Sequence, residues 1–152
     1  MKKQILIVDD DEAVRGSLKH LLQETGYAVT EASDGAQGVT RLQQEHVDLM
    51  ILDLGLPKMN GFDLLDFATR HYRAVPILVV TALAGQCEAG ALAEADAVLE
   101  KPPEVAHLLG LIEQLLAKAR APRPQPSAFP RALGTPSRLS YRPPGWHAGL
   151  CA

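Results

Sequence analysis

Four short apolar runs in this chain each end on polar residues that could take part in metal or phosphoryl chemistry. These residues are Asp9 and Asp10 after residues 5–8, Asp53 after 49–52, Thr81 after 77–80, and Lys101 after 97–100. If the runs are parallel strands, the polar side chains meet at the carboxyl edge of one sheet, where open α/β sheets bind ligands. Three carboxylates, a hydroxyl and an amine at one crevice indicate a divalent cation and a phosphoryl group.

The runs themselves have the character of buried parallel strands. Three of them are continuous Ile, Leu, Val and Met without alternation, which is typical of strands covered on both faces. Residues 27–32 alternate and predict a further strand, and amphipathic spacing between the strands predicts five helices. The helix at 85–94 is the weakest, because Gly90 interrupts it. The alternation predicts an α/β doubly wound parallel sheet that ends near residue 120.

Local signals predict how several helices begin and end. We expect Asp11 to cap the first helix and Asp34 to cap the second, since short acidic side chains accept from free helical N–H groups. Gly26 is expected to end the first helix. Arg15 is expected to lie on an exposed face of that helix.

Composition divides the chain into two parts. Residues 1–120 carry 11 Lys and Arg against 18 Asp and Glu, a formal charge of −7. Residues 121–152 carry four Arg, no acid and seven of the 11 prolines, which predicts a disordered tail. The acidic body argues against direct DNA binding, and the proline-broken tail is too short for a helix-turn-helix output domain.

The remaining sequence signals favour a cytoplasmic protein. Two cysteines, Cys87 and Cys151, are too few for a disulfide framework and are expected to be free thiols. The first apolar run stops at Asp9, which is too short for a signal peptide. The longest uncharged stretch, 74–87, is 14 residues and cannot span a bilayer.

Four motifs, in their order along the chain, resemble those of response-regulator receiver domains, the phosphoacceptor modules of two-component signalling. They are Ile7-Val8-Asp9-Asp10-Asp11, the segment from Asp53 to Gly61, Thr81-Ala82, and Lys101-Pro102. No single motif is specific, but the ordered set is. The resemblance covers about residues 1–118 and implies a flavodoxin-like sheet of order 2-1-3-4-5.

The resemblance implies a Mg²⁺ site and a phosphoacceptor. Asp53 would be phosphorylated and would also supply a ligand oxygen. Asp10 would bind the metal directly, Asp9 through water or as a charge partner, and Gly55 through its backbone carbonyl. Such a set agrees with the preference of Mg²⁺ for a few carboxylates together with waters and phosphate oxygens.

The resemblance also assigns the residues that would contact the phosphoryl group. Lys101 would pair with its oxygens, Thr81 would donate its hydroxyl, and the bond between Lys101 and Pro102 could be cis. The sequence departs from the family pattern at Val98, where an aromatic residue usually precedes the lysine by three positions, and at Pro103, where an aromatic or aliphatic residue often follows the Lys-Pro pair. The segment from Thr81 to Lys101 is also about two residues short. The partners would be a sensor histidine kinase or phosphotransfer protein and a downstream protein target.

Several functional readings remain open at this point. The first is a stand-alone receiver domain that catalyses its own phosphotransfer and slow dephosphorylation and signals through protein contacts. The second, motivated by Val98, is an interaction module independent of phosphorylation, or a receiver fragment of a regulator that has lost its DNA-binding output domain. The third is a metal-dependent phosphatase, which is disfavoured because Gly55 stands where a second catalytic acid would be needed.

Overall fold

The computed structural model describes residues 2–56, 61–82 and 92–118, which contain five strands and four helices. The strands are β1 (Gln4–Val8), β2 (Ala28–Ala32), β3 (Leu49–Leu52), β4 (Ile77–Thr81) and β5 (Ala97–Glu100). The helices are α1 (Glu12–Glu24), α2 (Gly35–Gln44), α3 (Gly61–His71) and α4 (Val105–Lys118). The predicted helix at 85–94 falls largely, and the predicted tail at 121–152 entirely, outside the described residues.

The sheet is parallel throughout and has the order β2-β1-β3-β4-β5, which confirms the predicted topology. Its register aligns the carboxyl ends of the central strands. Val8 lies opposite both Ala32 and Leu52, while Thr81 lies opposite Glu100. The polar residues that follow β1, β3 and β5 therefore leave the sheet at the same edge.

Two separate apolar layers explain why the strand sequences do not alternate. Successive side chains of a strand point to opposite faces, and in β1 both faces are buried. Leu6 and Val8 pack in one layer with residues of α2 and α3, including Val39, Leu42, Phe62, Leu64 and Leu65. Ile5 and Ile7 pack in the other with residues of α1 and α4, including Leu18, Leu22, Leu108, Ile112 and Leu115.

The predicted helix ends are confirmed. The Asp11 carboxylate accepts from the N–H groups of Ala13 and Val14 at 2.9 and 3.2 Å. In the same way, Asp34 accepts from Gln37 N–H at 2.8 Å. Gly26 follows α1 with φ of 104°, a conformation that glycine adopts without the steric cost of a Cβ.

In the described parts of the chain, no helix combines the length and the apolar character that crossing a membrane would require.

Candidate functional site

Three of the predicted site carboxylates come together at the carboxyl edge of the sheet. Oxygens of Asp9, Asp10 and Asp53 lie within 4.8 Å of one another. Asp9 and Asp53 are buried, with exposed fractions of 3% and 9%, whereas Asp10 is exposed. Two of the three carboxylates are therefore enclosed by the protein, and the third, that of Asp10, is accessible to solvent.

The sheet itself holds two of these acids, because the backbone pairing continues past the strand ends. Asp9 N–H donates to the carbonyl of Ala32 at 3.1 Å, and Asp53 N–H donates to the carbonyl of Val8 at 2.9 Å. The positions of both residues are therefore fixed by strand register and not by loop conformation.

Lys101 bridges the two buried carboxylates. Its Nζ lies 2.6 Å from Asp9 Oδ2 and 3.0 Å from Asp53 Oδ2. Its side chain is 19% exposed, and its backbone N–H donates to the Thr81 carbonyl at 3.1 Å. The Lys101–Pro102 peptide is cis, as the resemblance implied.

Burial and charge pairing both act on the ionisation of this site. Burial raises the pKa of the Asp9 carboxyl above its ordinary value, although the hydrogen bond from Lys101 opposes the change. Burial alone would lower the pKa of Lys101, but the bonds to Asp9 and Asp53 outweigh it and raise that pKa. Lys101 is therefore held firmly as an ammonium ion between two acids.

Backbone donors fix the second oxygen of each buried carboxylate. Asp9 Oδ1 accepts from Asp11 N–H at 2.9 Å, and Asp53 Oδ1 accepts from Gly55 N–H at 3.1 Å. Each carboxylate oxygen has a further lone pair for another partner. Oriented carboxylates with exposed Asp10 beside them fit a hard cation such as Mg²⁺. The predicted role of the Gly55 carbonyl stays a prediction.

The structure places the other two predicted positions close by in the sheet. Thr81 is buried as the last residue of β4, beside the strand end that carries Lys101. Val98 lies opposite Val79 and is half-buried against the layer formed by α2 and α3. An aliphatic side chain thus fills the position where the resemblance suggests an aromatic ring.

The expectation for Arg15 is wrong. Its side chain is only 15% exposed, because it turns from α1 toward the sheet. Nη1 donates to the Asp9 carbonyl at 2.8 Å, and Nε lies 3.3 Å from Glu31 Oε1. Lys19 Nζ also pairs with Glu31, at 2.8 Å. No spacing in the sequence signals this network, since it joins side chains of α1 to Glu31 on the separate element β2.

Gly61 brings α3 close to the segment that carries Asp53. A Cβ at this position would clash with the Cα of Leu54 and lie 2.8 Å from the Asp53 carbonyl oxygen. Gly61 N–H donates to the Leu54 carbonyl at 3.3 Å. The absence of a side chain therefore sets how near the helix approaches the site. Residues 57–60, which precede Gly61, lie outside the described residues.

Residues 5–113 match the model of the response regulator receiver domain. The chain belongs to the receiver domain family. It is the receiver domain of a two-component response regulator, with an acidic site formed by Asp9, Asp10 and Asp53.

Curated relatives of this receiver domain are longer proteins. The response regulator MprA of Mycobacterium bovis is 35% identical over 122 residues, which are 79% of this chain and 53% of that protein. MprA of Mycolicibacterium vanbaalenii is 36% identical over 145 residues, which are 94% of this chain and 62% of that protein. The chain therefore spans about half the length of the curated relatives it matches.

Solved structures of receiver domains match this chain over almost the full length of the solved chains. A CheY-like receiver domain protein from Methanospirillum hungatei has a TM-score of 0.73 at 31% identity, covering 78% of this chain and 97% of that one. The response regulator protein TrrA from Thermotoga maritima, in complex with Mg²⁺ and BeF, has a TM-score of 0.70 at 27% identity. That alignment covers 74% of this chain and 98% of TrrA.

Proposed function

We propose that this receiver domain accepts a phosphoryl group on Asp53 from a sensor histidine kinase or a phosphotransfer protein, with Mg²⁺ bound at the acidic cluster. The observation that carries the proposal is the bridge of Lys101 between Asp9 and Asp53 beside exposed Asp10. That arrangement gathers three carboxylates that could bind a metal ion, and it places the Lys101 ammonium where a phosphoryl group on Asp53 would lie. The Mg²⁺–BeF complex of TrrA supports the choice of cation.

In the transfer step, a carboxylate oxygen of Asp53 attacks the phosphorus of a phosphohistidine. The new P–O bond forms as the P–N bond breaks, and the electron pair stays on the imidazole nitrogen, which takes up a proton. Mg²⁺ would neutralise charge on the phosphoryl oxygens. It would be held directly by Asp10, Asp53 and the Gly55 carbonyl, and by Asp9 through water or as a charge partner. Slow hydrolysis by water then regenerates the carboxylate and releases phosphate.

Lys101 and Thr81 have complementary parts in this proposal. Lys101 already contacts Asp53 through its ammonium group. After phosphorylation the same ammonium would pair, as a point charge, with a phosphoryl oxygen. The Thr81 hydroxyl, at the end of the neighbouring strand, would donate to the same group. Thr81 ends β4 and Lys101 directly follows β5, where its N–H donates to the Thr81 carbonyl, so the phosphoryl pocket would be largely preformed.

We further propose that residues 1–120 form the receiver unit, that 121–152 are a separate segment, and that the output is a phosphorylation-dependent contact with a downstream protein. Half-buried Val98 favours a second candidate, in which partner binding is independent of phosphorylation. The two are separated by measuring partner affinity with and without a phosphoryl mimic. A clear change in affinity rejects the second candidate.

The phosphoacceptor is tested by incubating the protein with Mg²⁺ and acetyl phosphate and measuring its intact mass. We expect addition of one phosphoryl group, which chelation of Mg²⁺ prevents and Asp53→Asn abolishes. Asp48→Asn is a matched control, because Asp48 precedes the same strand at the opposite sheet edge, where Oδ2 accepts from Gln4 N–H. Addition that survives Asp53→Asn, or that Asp48→Asn also abolishes, would contradict the proposal.

A further inference from the structure

Arg15 contacts the backbone of the acidic cluster and does not contact its carboxylates. The guanidinium reaches from α1 to the Asp9 carbonyl, and the same side chain is held from β2 by Glu31. It is mostly buried. A long basic side chain enclosed beside a cation site needs a physical reason, because its charge repels the cation that the site would bind.

The reason lies in how Asp9 is held. Its N–H, its Oδ1 and its Oδ2 each have a partner, as described above. Arg15 adds the fourth contact, at the carbonyl oxygen. This carbonyl belongs to the peptide that joins Asp9 to Asp10, so Arg15 fixes the plane of that peptide and hence the direction in which exposed Asp10 leaves the backbone.

Glu31 forms an ion pair with Arg15 and so compensates part of the guanidinium charge near the acidic cluster. Lys19 and Arg15 together lower the pKa of Glu31, with the bond from Lys19 as the largest cause. The ionised Glu31 carboxylate offsets part of the guanidinium charge near the acidic cluster. Its bond to Nε also orients the guanidinium, so that Nη1 meets the carbonyl.

We propose that Arg15 is a positioning residue for the metal site, acting through the Asp9–Asp10 peptide. The inference rests on the Mg²⁺ site of the proposed function. It predicts a change in Mg²⁺ affinity on removal of Arg15 that is opposite in sign to the change expected from charge repulsion. Removing a nearby positive charge should strengthen Mg²⁺ binding by electrostatics alone, whereas losing the support of the peptide should weaken it.

The experiment measures Mg²⁺ affinity by calorimetry for the wild type and for Arg15→Met, Arg15→Lys and Lys19→Met. We expect Arg15→Met to weaken Mg²⁺ binding by about tenfold, the lower range for loss of a group that orients metal ligands. Arg15→Lys should recover part of this loss, because a lysine can donate one bond to the carbonyl. Lys19→Met removes a charge from the same network without contacting Asp9, so affinity should be unchanged or slightly higher.

Two further readouts separate positioning from general destabilisation. In metal-free Arg15→Met, the Asp11 amide should exchange faster with solvent, while the Asp53 amide, bonded within the sheet, should keep its protection.

The outcomes distinguish this inference from the proposed function. If the wild type does not bind Mg²⁺, the proposed function fails and the inference fails with it. If the wild type binds Mg²⁺ but Arg15→Met binds it equally well or more tightly, only the inference is overturned. Equal weakening in Lys19→Met, or loss of Asp53 protection in both Arg15 variants, also overturns it.

Discussion

Replacing Lys101 by methionine should destabilise the metal-free protein, and Mg²⁺ should restore much of the loss. The substitution keeps most of the apolar stem but removes the ammonium that bridges Asp9 and Asp53. Both carboxylates would then lie close together and mostly buried, with Asp10 beside them. Nothing else described at these oxygens carries a positive charge.

The magnitude follows from the geometry of the bridge. Removing one partner of a buried ion pair costs about 3–5 kcal/mol. A Coulomb estimate for a unit pair at about 4 Å, with an effective dielectric constant of about 20, gives roughly 4 kcal/mol. Because the Lys101 side chain is 19% exposed and the carboxylates can relax toward water, we expect about 3 kcal/mol.

The assay is urea unfolding followed by circular dichroism, at neutral pH, with EDTA or with excess Mg²⁺. Neutral pH is suitable because the raised pKa of Lys101 keeps its stabilising charge complete below 10.5 and loses it only as pH rises through the folded-state value. Ligand binding to the folded state adds free energy according to its affinity. Mg²⁺ should stabilise Lys101→Met more than wild type, because no ammonium competes for the acids.

Lys118→Met is the matched control, since Lys118 is an exposed lysine at the end of α4. It should change stability by less than about 0.5 kcal/mol with or without Mg²⁺. Equal stability of Lys101→Met and Lys118→Met in EDTA would refute the reasoning. So would a Mg²⁺ stabilisation of Lys101→Met no larger than that of the wild type.

Two other predictions concern packing and pH. Gly61→Ala should destabilise the protein by about 1–3 kcal/mol in urea unfolding, because the added methyl would meet the backbone of Leu54. Gly16→Ala should stabilise it by about 0.5–1 kcal/mol, because Gly16 lies on the exposed face of α1 with open space around it. Glu31→Gln should lower stability at neutral pH but not in acid, because the lowered pKa of Glu31 gives stability that is present above 4.5 and lost as pH falls through the folded-state value.

Controls for these two predictions come from the same measurements. Similar effects of Gly61→Ala and Gly16→Ala would show that helix propensity, and not contact with the Asp53 segment, governs both positions. A stability difference between wild type and Glu31→Gln that persists below the folded-state pKa would show that the carboxylate charge is not the cause.

The sequence predicted the sheet and its acidic edge because both follow from local patterns. A continuous apolar run such as that before Asp9 identifies a doubly covered strand, and the polar residue at its end must lie at the sheet edge. The order of the strands could be predicted only from the resemblance to receiver domains, since no local pattern encodes which strands are neighbours. Arg15 was misplaced for a related reason: helical periodicity assigns a face, but a long side chain at the edge of that face can reach the sheet.

The position of Gly61 illustrates another limit of sequence reasoning. A glycine beside a helix start is compatible with a cap, a turn or a close approach, and these have the same sequence signature. Only the placement of α3 against Leu54 separates them. The sequence did predict that Lys101, Asp9 and Asp53 lie at one edge of the sheet, because all three follow strands. It assigned Lys101 to phosphoryl oxygens, however, and the ion pairs with the two carboxylates are seen only in the structure.

The bridge between Asp9 and Lys101 joins residues 92 positions apart in the chain. A protein that is still being synthesised therefore has its acidic residues long before it has their counter-charge. Until β5 has left the ribosome and joined β4, Asp9 and Asp53 repel each other without relief from Lys101, and contacts of such separation form late because closing the loop costs entropy. Completion of the site thus coincides with completion of the sheet, so partly made chains should lack the preformed arrangement that we propose for phosphoryl transfer.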